Sequence, residues 1–155
     1  GKIVELRGSR IKLSPFDSSD RQLFIEISMC PIMMEHVYEP LTYQEAVAAF
    51  ELKSQSWQFE SDHWLSFGIE DISSGEKLGS IGLKVINHKA RIAEVGYMIK
   101  QSAQGRGIAG EALTLIKQFG YRKYKPPFCS SSEVSYLKFP HSFTAQAPIL
   151  TAGPA

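Results

Sequence analysis

Ala93-Glu94-Val95-Gly96-Tyr97-Met98-Ile99-Lys100-Gln101-Ser102-Ala103-Gln104-Gly105-Arg106-Gly107-Ile108-Ala109-Gly110 is the stretch on which the fold turns. Residues 93–100 are mostly apolar and predict a strand. Residues 101–103 make a short polar turn. Gln104-Gly105-Arg106-Gly107-Ile108-Ala109 follows and runs into a helical pattern. Strand, glycine-rich turn and helix N-terminus, in that order, make an anion site. Backbone N–H groups converge there, and the helix dipole adds about half a positive charge. Glycines let the backbone approach a phosphate closely, and Arg106 can supply a fixed positive charge.

The loop is not a nucleotide P-loop, because it lacks the Lys-Ser/Thr ending that serves phosphates and magnesium. Nor does G-x-G-x-x-G follow the strand, so a dinucleotide fold is poorly supported. It does match Q/R-x-x-G-x-G/A, with Gln104, Gly107 and Ala109 at the defining positions.

On those residues the segment resembles motif A of the GNAT acyl-CoA N-acyltransferases. The Gly96-Tyr97 pair and the run from Gln104 to Ala112 are most similar to the ribosomal-protein N-terminal acetyltransferase group. The resemblance implies a coenzyme A pyrophosphate on the amides of Gln104, Gly105, Arg106, Gly107, Ile108 and Ala109. It implies a pantetheine arm along Met98, Ile99 and Lys100, pairing with backbone as an added strand would. The plainer alternative is a glycine turn that merely starts a helix. Strand, motif and helix standing in register weigh against it.

Composition agrees with one ordinary globular domain. The chain has 155 residues, 43% hydrophobic and 21% charged, within the usual range for such proteins. A formal net charge of +1 gives no reason to expect nucleic acid. No apolar run approaches the ~20 residues that span a bilayer. The opening Gly-Lys-Ile-Val-Glu-Leu-Arg lacks a signal-peptide pattern. Cys30 and Cys129 make no disulfide framework. The expectation is a cytoplasmic protein with reduced thiols, binding neither membrane nor metal. His36, His63, His88 and His141 are scattered without ligand spacing.

Working outward, residues 3–6 and 10–15 read as an initial strand interrupted at Gly8. Residues 16–20 are turn and cap material before a helix carrying Leu23, Phe24 and Ile27. Thr42-Tyr43-Gln44-Glu45 is a capping box opening a helix to about Trp57. Residues 63–70, 77–87 and 91–100 read as three strands joined by short turns, an antiparallel meander. Ile108, Ala112, Leu115, Ile116 and Phe119 share one face of the last helix, which should pack on the sheet. The expected fold class is therefore α/β: a GNAT-like mixed, mostly antiparallel sheet flanked by helices, with the C-terminal part truncated or replaced.

The resemblance covers residues 2–121, and the division expected is a coenzyme-binding core, 1–121, and an atypical tail, 122–155. Five of eight prolines lie beyond residue 121, where Glu133 is the only acidic residue. Family members continue there with a parallel fifth strand and an Asn-containing turn. Here residues 134–139 read as a short strand and 148–155 as coil. Such a tail needs support from the sheet edge or from a second subunit. A homodimer through the tail is one expectation, and a monomer by size in solution would count against it.

Family chemistry implies acetyl-CoA as acyl donor and a primary amine as acceptor, either a protein N-terminus or a small amine, joined by direct attack in a ternary complex. A backbone N–H at Met98 or Ile99 would polarise the thioester carbonyl. Glu94 is the candidate base, since a glutamate at the matching position serves so in the histone-acetylating branch; the plainer alternative is a strand carboxylate that pairs with Arg91 or orients the acceptor without proton transfer. Glu70 is a weaker candidate. Many members take the acid for the leaving thiolate from a Tyr or Ser after the Asn turn that is missing here; Tyr136 is a candidate substitute, but no motif aligns it. Met29, Met33, Met34, Tyr38, Trp57 and Trp64 are either acceptor walls or core. The alternative function is a coenzyme A-binding or interaction protein that lost acceptor chemistry with its C-terminal third.

Overall fold

The computed structural model describes residues 5–30, 39–89, 92–124, 134–137 and 147–150. Strands β1 (Leu6–Arg7) and β2 (Ile11–Pro15) form a hairpin. Its turn closes where Gly8 N–H donates to Ile11 O at 2.8 Å. A 3-10 turn (Ser18–Asp20) leads into helix α1 (Arg21–Met29), and helix α2 (Tyr43–Lys53) follows. Strands β3 (Leu65–Asp71), β4 (Lys77–Asn87) and β5 (Ile92–Ile99) make the meander. A 3-10 turn (Gln101–Ala103) and the glycine loop then enter helix α3 (Ile108–Tyr124). Short strands β6 (Val134–Leu137) and β7 (Ala147–Leu150) complete the sheet. Its order is β1-β2-β3-β4-β5-β7-β6, and every pairing is antiparallel.

Local chemistry explains most boundaries. At α2, Thr42 Oγ1 accepts from Glu45 N at 3.1 Å while Glu45 Oε1 accepts from Thr42 N at 2.9 Å, satisfying two donors at the helix start. The helix stops at Lys53 rather than near Trp57, because Ser54 N–H and Oγ both turn back on Phe50 O, at 3.0 and 2.7 Å. The polar run after it cannot extend the apolar stripe. Trp57 is instead buried in the core, its Nε1 donating to His63 O at 2.9 Å. In the β3–β4 turn, Asp71 Oδ1 accepts from Ser73 N and Ser74 N, each at 2.9 Å, and Gly75 adopts φ 75°.

Strand alternation sorts side chains onto two faces. Ile11, Leu13, Phe67, Ile69, Ile81, Leu83, Ala93 and Val95 fill one face, against Ile108, Ala112, Leu115, Ile116 and Phe119 of α3. All five predicted helix positions are buried. The rings of Phe67 and Phe119 meet edge-on at 5.9 Å. The opposite face is more polar and lies under α1 and α2. There Phe16 stacks on Phe50 at 5.1 Å and meets Phe24 edge-on at 5.7 Å. Buried Asp20 sits over Gly68, where a Cβ would fall 2.0 Å from Asp20 Oδ1, and Lys77 Nζ pairs with that oxygen at 3.3 Å.

The tail corrects one expectation. Pro148 suggested coil, because proline donates nothing to a ladder, yet Ala147–Leu150 is a strand between β5 and β6. The edge of β5 at Ala93 and Glu94 supplies the pairing that so short a run lacks by itself. Helix α3 ends at Tyr124, so residue 121 falls in its last turn. Arg91, Met33, Met34, His36, Tyr38, Cys129 and His141 lie outside the described residues, as does the Tyr136 side chain. Among the described residues no helix is long and apolar enough to cross a membrane.

Candidate functional site

The glycine loop is held in an unusual backbone state. Gly105 and Gly107 both adopt φ 76°, a left-handed conformation that costs side-chain-bearing residues energy. A Cβ at Gly105 would meet nothing, whereas one at Gly107 would lie 3.1 Å from Arg10 Nη2. The loop therefore turns over twice and delivers its amides to the start of α3. Among the described residues, no acceptor meets the N–H groups of Gly105, Gly107, Ile108 or Ala109. Converging unpaired amides at a helix N-terminus are the elements of an anion site.

Three interactions hold this loop. Arg10, in the turn between β1 and β2, donates from Nη1 to Arg106 O at 2.6 Å and from Nε to Glu111 Oε1 at 3.0 Å. Glu111 Oε2 also accepts from the amides of Arg10 and Ile11, at 2.9 and 3.1 Å. Burial alone would raise the Glu111 carboxyl, but those hydrogen bonds and the Arg10 charge hold it below its ordinary range. Gln104 Nε2 donates back to Ile99 O at 3.1 Å, closing the loop on β5. The Arg106 guanidinium lies 3.7 Å from Asp71 Oδ2. Its charge is fixed near the loop by the β3–β4 turn. Sequence reasoning missed Arg10 and Glu111, for they stand 101 positions apart.

The outer edge of β5 opens beside this loop. Strand β7 pairs with β5 at Ala93 and Glu94. The β5–β7 ladder stops at Glu94, and no strand among the described residues continues it toward Ile99, whose carbonyl accepts from Gln104 Nε2. Lys100 N–H donates to Leu78 O on β4 at 2.9 Å, which sets the alternation of the ladder. Met98 then points its amide toward β4, while Ile99 points its amide to the open edge. Lys100 Nζ is held by Glu76 in the β3–β4 turn.

Glu94 sits on the face under α1 and α2, as do Gly96 and Met98. It stands opposite Lys84 across the β4–β5 ladder, and Gly96 stands opposite Gly82. Trp64 lies across that glycine pair. Its ring atoms approach within 3.2 Å of the place a Cβ would take at Gly82, and 3.6 Å at Gly96. Lys53 Nζ caps the ring, 4.9 Å from its centroid. Burial, and then the charge of Lys84, push the Lys53 amino group down to about 8. No ion pair engages Glu94, Lys53 or Lys84 among the described residues. Glu70 differs. Burial would raise it, but hydrogen bonds from Lys12 and Lys77, each at 3.2 Å, hold it below the usual carboxylate range. That occupied carboxylate is a poor base. Tyr97 packs on the core side, and no metal-binding group of side chains occurs among the described residues.

A family model described as an acetyltransferase (GNAT) domain matches residues 10–138. Solved structures of similar shape agree with it. An acetyltransferase from Agrobacterium tumefaciens superposes with TM-score 0.71 at 19% identity, covering 96% of this chain and 95% of the other. A spermidine N-acetyltransferase from Vibrio cholerae, solved with CoA and spermine, gives 0.64 at 14% identity, with 94% and 97% covered. A proposed ribosomal-protein-serine acetyltransferase from Vibrio cholerae gives 0.61 at 15% identity, with 97% of both chains covered. At these identities the structures testify to the fold. No curated protein matches the chain by sequence.

Proposed function

The chain belongs to the GNAT acetyltransferase family, and from that premise we propose how it works. It is an N-acetyltransferase, moving an acetyl group from acetyl-CoA to an amine. Acetyl-CoA, when bound, supplies the thioester carbon that the amine attacks. The residues present suit it. The amides of Gly105, Gly107, Ile108 and Ala109, which meet no acceptor among the described residues, would hold a pyrophosphate, with Gln104 closing the loop and Arg106 adding charge. A pantetheine arm would run along Met98, Ile99 and Lys100, where the Ile99 N–H faces away from β4. Of the two amides considered for the thioester oxygen, that of Ile99 points outward, and it is the donor in this reading.

Glu94 is the base in this account. It faces the acceptor side, carries no ion-pair partner among the described residues, and lies on the strand that bears the Ile99 amide. Five residues of strand put it about 16 Å from Ile99, so the proton of the attacking amine reaches Glu94 through bridging water. The acceptor is a primary amine of a protein N-terminus or of a small molecule. The observation that carries this reading is the twice-turned glycine loop, whose amides meet no acceptor among the described residues, standing at the end of β5 where the ladder with β7 has stopped.

The test is acetyl-CoA-dependent thiol release with a panel of amines, with the product identified by a mass gain of one acetyl group. Transfer to at least one amine is expected. Binding of acetyl-CoA without transfer to any amine would support the second reading, a coenzyme A-binding protein without acceptor chemistry.

A further inference from the structure

The acceptor side of β5 holds two cations that the transfer chemistry does not use. Lys53 lies over Trp64, whose ring covers Gly82, and Lys84 follows two positions along the same face of β4. Lys53 comes from the last turn of α2 and rests on the indole. Lys84 comes from β4. Most other cations near this sheet are matched. Lys12 pairs with Glu5 and Glu70, Lys77 with Asp20 and Glu70, Lys100 with Glu76, and Arg106 with Asp71. Lys53 and Lys84 have no carboxylate among the described residues and are close enough for one charge to act on the other.

Lys84 makes this more pointed. Its cross-strand neighbour is Glu94, and directly opposed positions bring Cβ atoms to about 5 Å. An ion pair there would be easy, yet none forms. The carboxylate and the two ammonium groups share the face that Trp64 covers and form no ion pair among the described residues. An amine beside Glu94 and an oxyanion between the two lysines would complete the set. Two part-buried cations in mutual repulsion gain more from such a ligand than exposed ones do, because water screens them less.

We propose that Lys53 and Lys84 select the acceptor: a primary amine whose own molecule carries a carboxylate or phosphate near it, with polycationic amines rejected. The inference rests on the acetyl-transfer reading above and names its substrate class. Glu94 receives the amine proton, and the lysines hold the anionic group. A polyamine would bring further positive charge against two cations already unpaired.

Matched acceptors differing in one charge test it. The pairs are Glu-Ala-amide with Gln-Ala-amide, and phosphoethanolamine with ethanolamine, with spermidine as the polycation. The two pairs tell carboxylate from phosphate. Both kcat/KM and equilibrium binding are measured, on the native chain, on a Lys53→Met, Lys84→Met double variant, and on Lys84→Arg. Circular dichroism establishes that each variant is folded. The expected result is a preference of about tenfold for the charged member of at least one pair. It should fall to near parity in the double variant and survive in Lys84→Arg. Equal treatment of both members, preference for spermidine, failure to bind either charged acceptor, or a preference that outlives both lysines would overturn the proposal. A separate acetyl-CoA titration distinguishes that failure from failure of the coenzyme site.

Discussion

Lys53 carries a residue-scale consequence for stability. Its amino group is held at about 8 in the folded chain, by burial first and by the Lys84 charge second. In the unfolded chain it returns to about 10.4. Between those values the unfolded chain holds a proton that the folded chain lacks. The Lys53 contribution therefore opposes folding fully below about 8 and is relieved as pH rises through that window. Lys53→Met should raise the melting temperature near neutral pH, and the advantage should shrink as pH climbs from about 8 to about 10. Thermal melts across that range check it, and a constant difference would contradict it. The proposed base role of Glu94 gives the catalytic counterpart. Glu94→Gln keeps the side-chain shape and removes the proton acceptor. Turnover should fall by a factor on the order of 100, within the usual range for a lost general base, with acetyl-CoA affinity unchanged. A pH–rate profile identical to that of the native chain would remove Glu94 from the base role.

At the scale of elements, the loop depends on a turn far from it in sequence. Arg10 holds both the Arg106 carbonyl and the Glu111 carboxylate, so the β1–β2 hairpin positions the start of α3. Arg10→Ala should weaken acetyl-CoA binding by about tenfold, the worth of a charge-assisted hydrogen bond, although Arg10 is not placed on the ligand. Titration calorimetry reads the affinity, and unchanged binding would show that the loop holds its shape unaided. The local parts of this arrangement were legible in the sequence, because their signals are local. Gly105 and Gly107 announce the turn, Thr42 and Glu45 announce a capped helix, and alternation announces β3, β4 and β5. The Arg10–Glu111 clamp and the seat of Trp64 on Gly82 and Gly96 were not legible. Both arise from register between elements, and no short window of sequence contains it. Strand β7 was hidden for a related reason. Its four residues include a proline, and its pairing is supplied by β5.

For the whole molecule, one apolar core joins the sheet to α3, and the glycine loop connects the two. Phe67 is fully buried at its centre, against Phe119. Phe67→Ala should cost about 3–5 kcal/mol. If the described core is one cooperative unit, Trp fluorescence and far-ultraviolet circular dichroism should report a single, earlier transition. Separate transitions for the two probes would contradict that unity. The polar face under α1 and α2 has a different duty. It exchanges apolar packing for charge, and Glu94, Lys53 and Lys84 stand there beside the open edge of β5. One face thus fixes the scaffold, while the other carries the residues proposed for the chemistry.

The loop, the open edge and the acceptor face together make one claim: this chain binds acetyl-CoA at residues 104–109. Calorimetric titration of the intact chain with acetyl-CoA, beside a Gly107→Val variant, tests it most directly. Valine cannot readily adopt φ 76°, and its Cβ would press on Arg10 Nη2. The account predicts affinity on the order of micromolar for the intact chain, about 8 kcal/mol of binding free energy, and its loss in a variant that still folds. No binding by the intact chain, or equal binding by both, would contradict it.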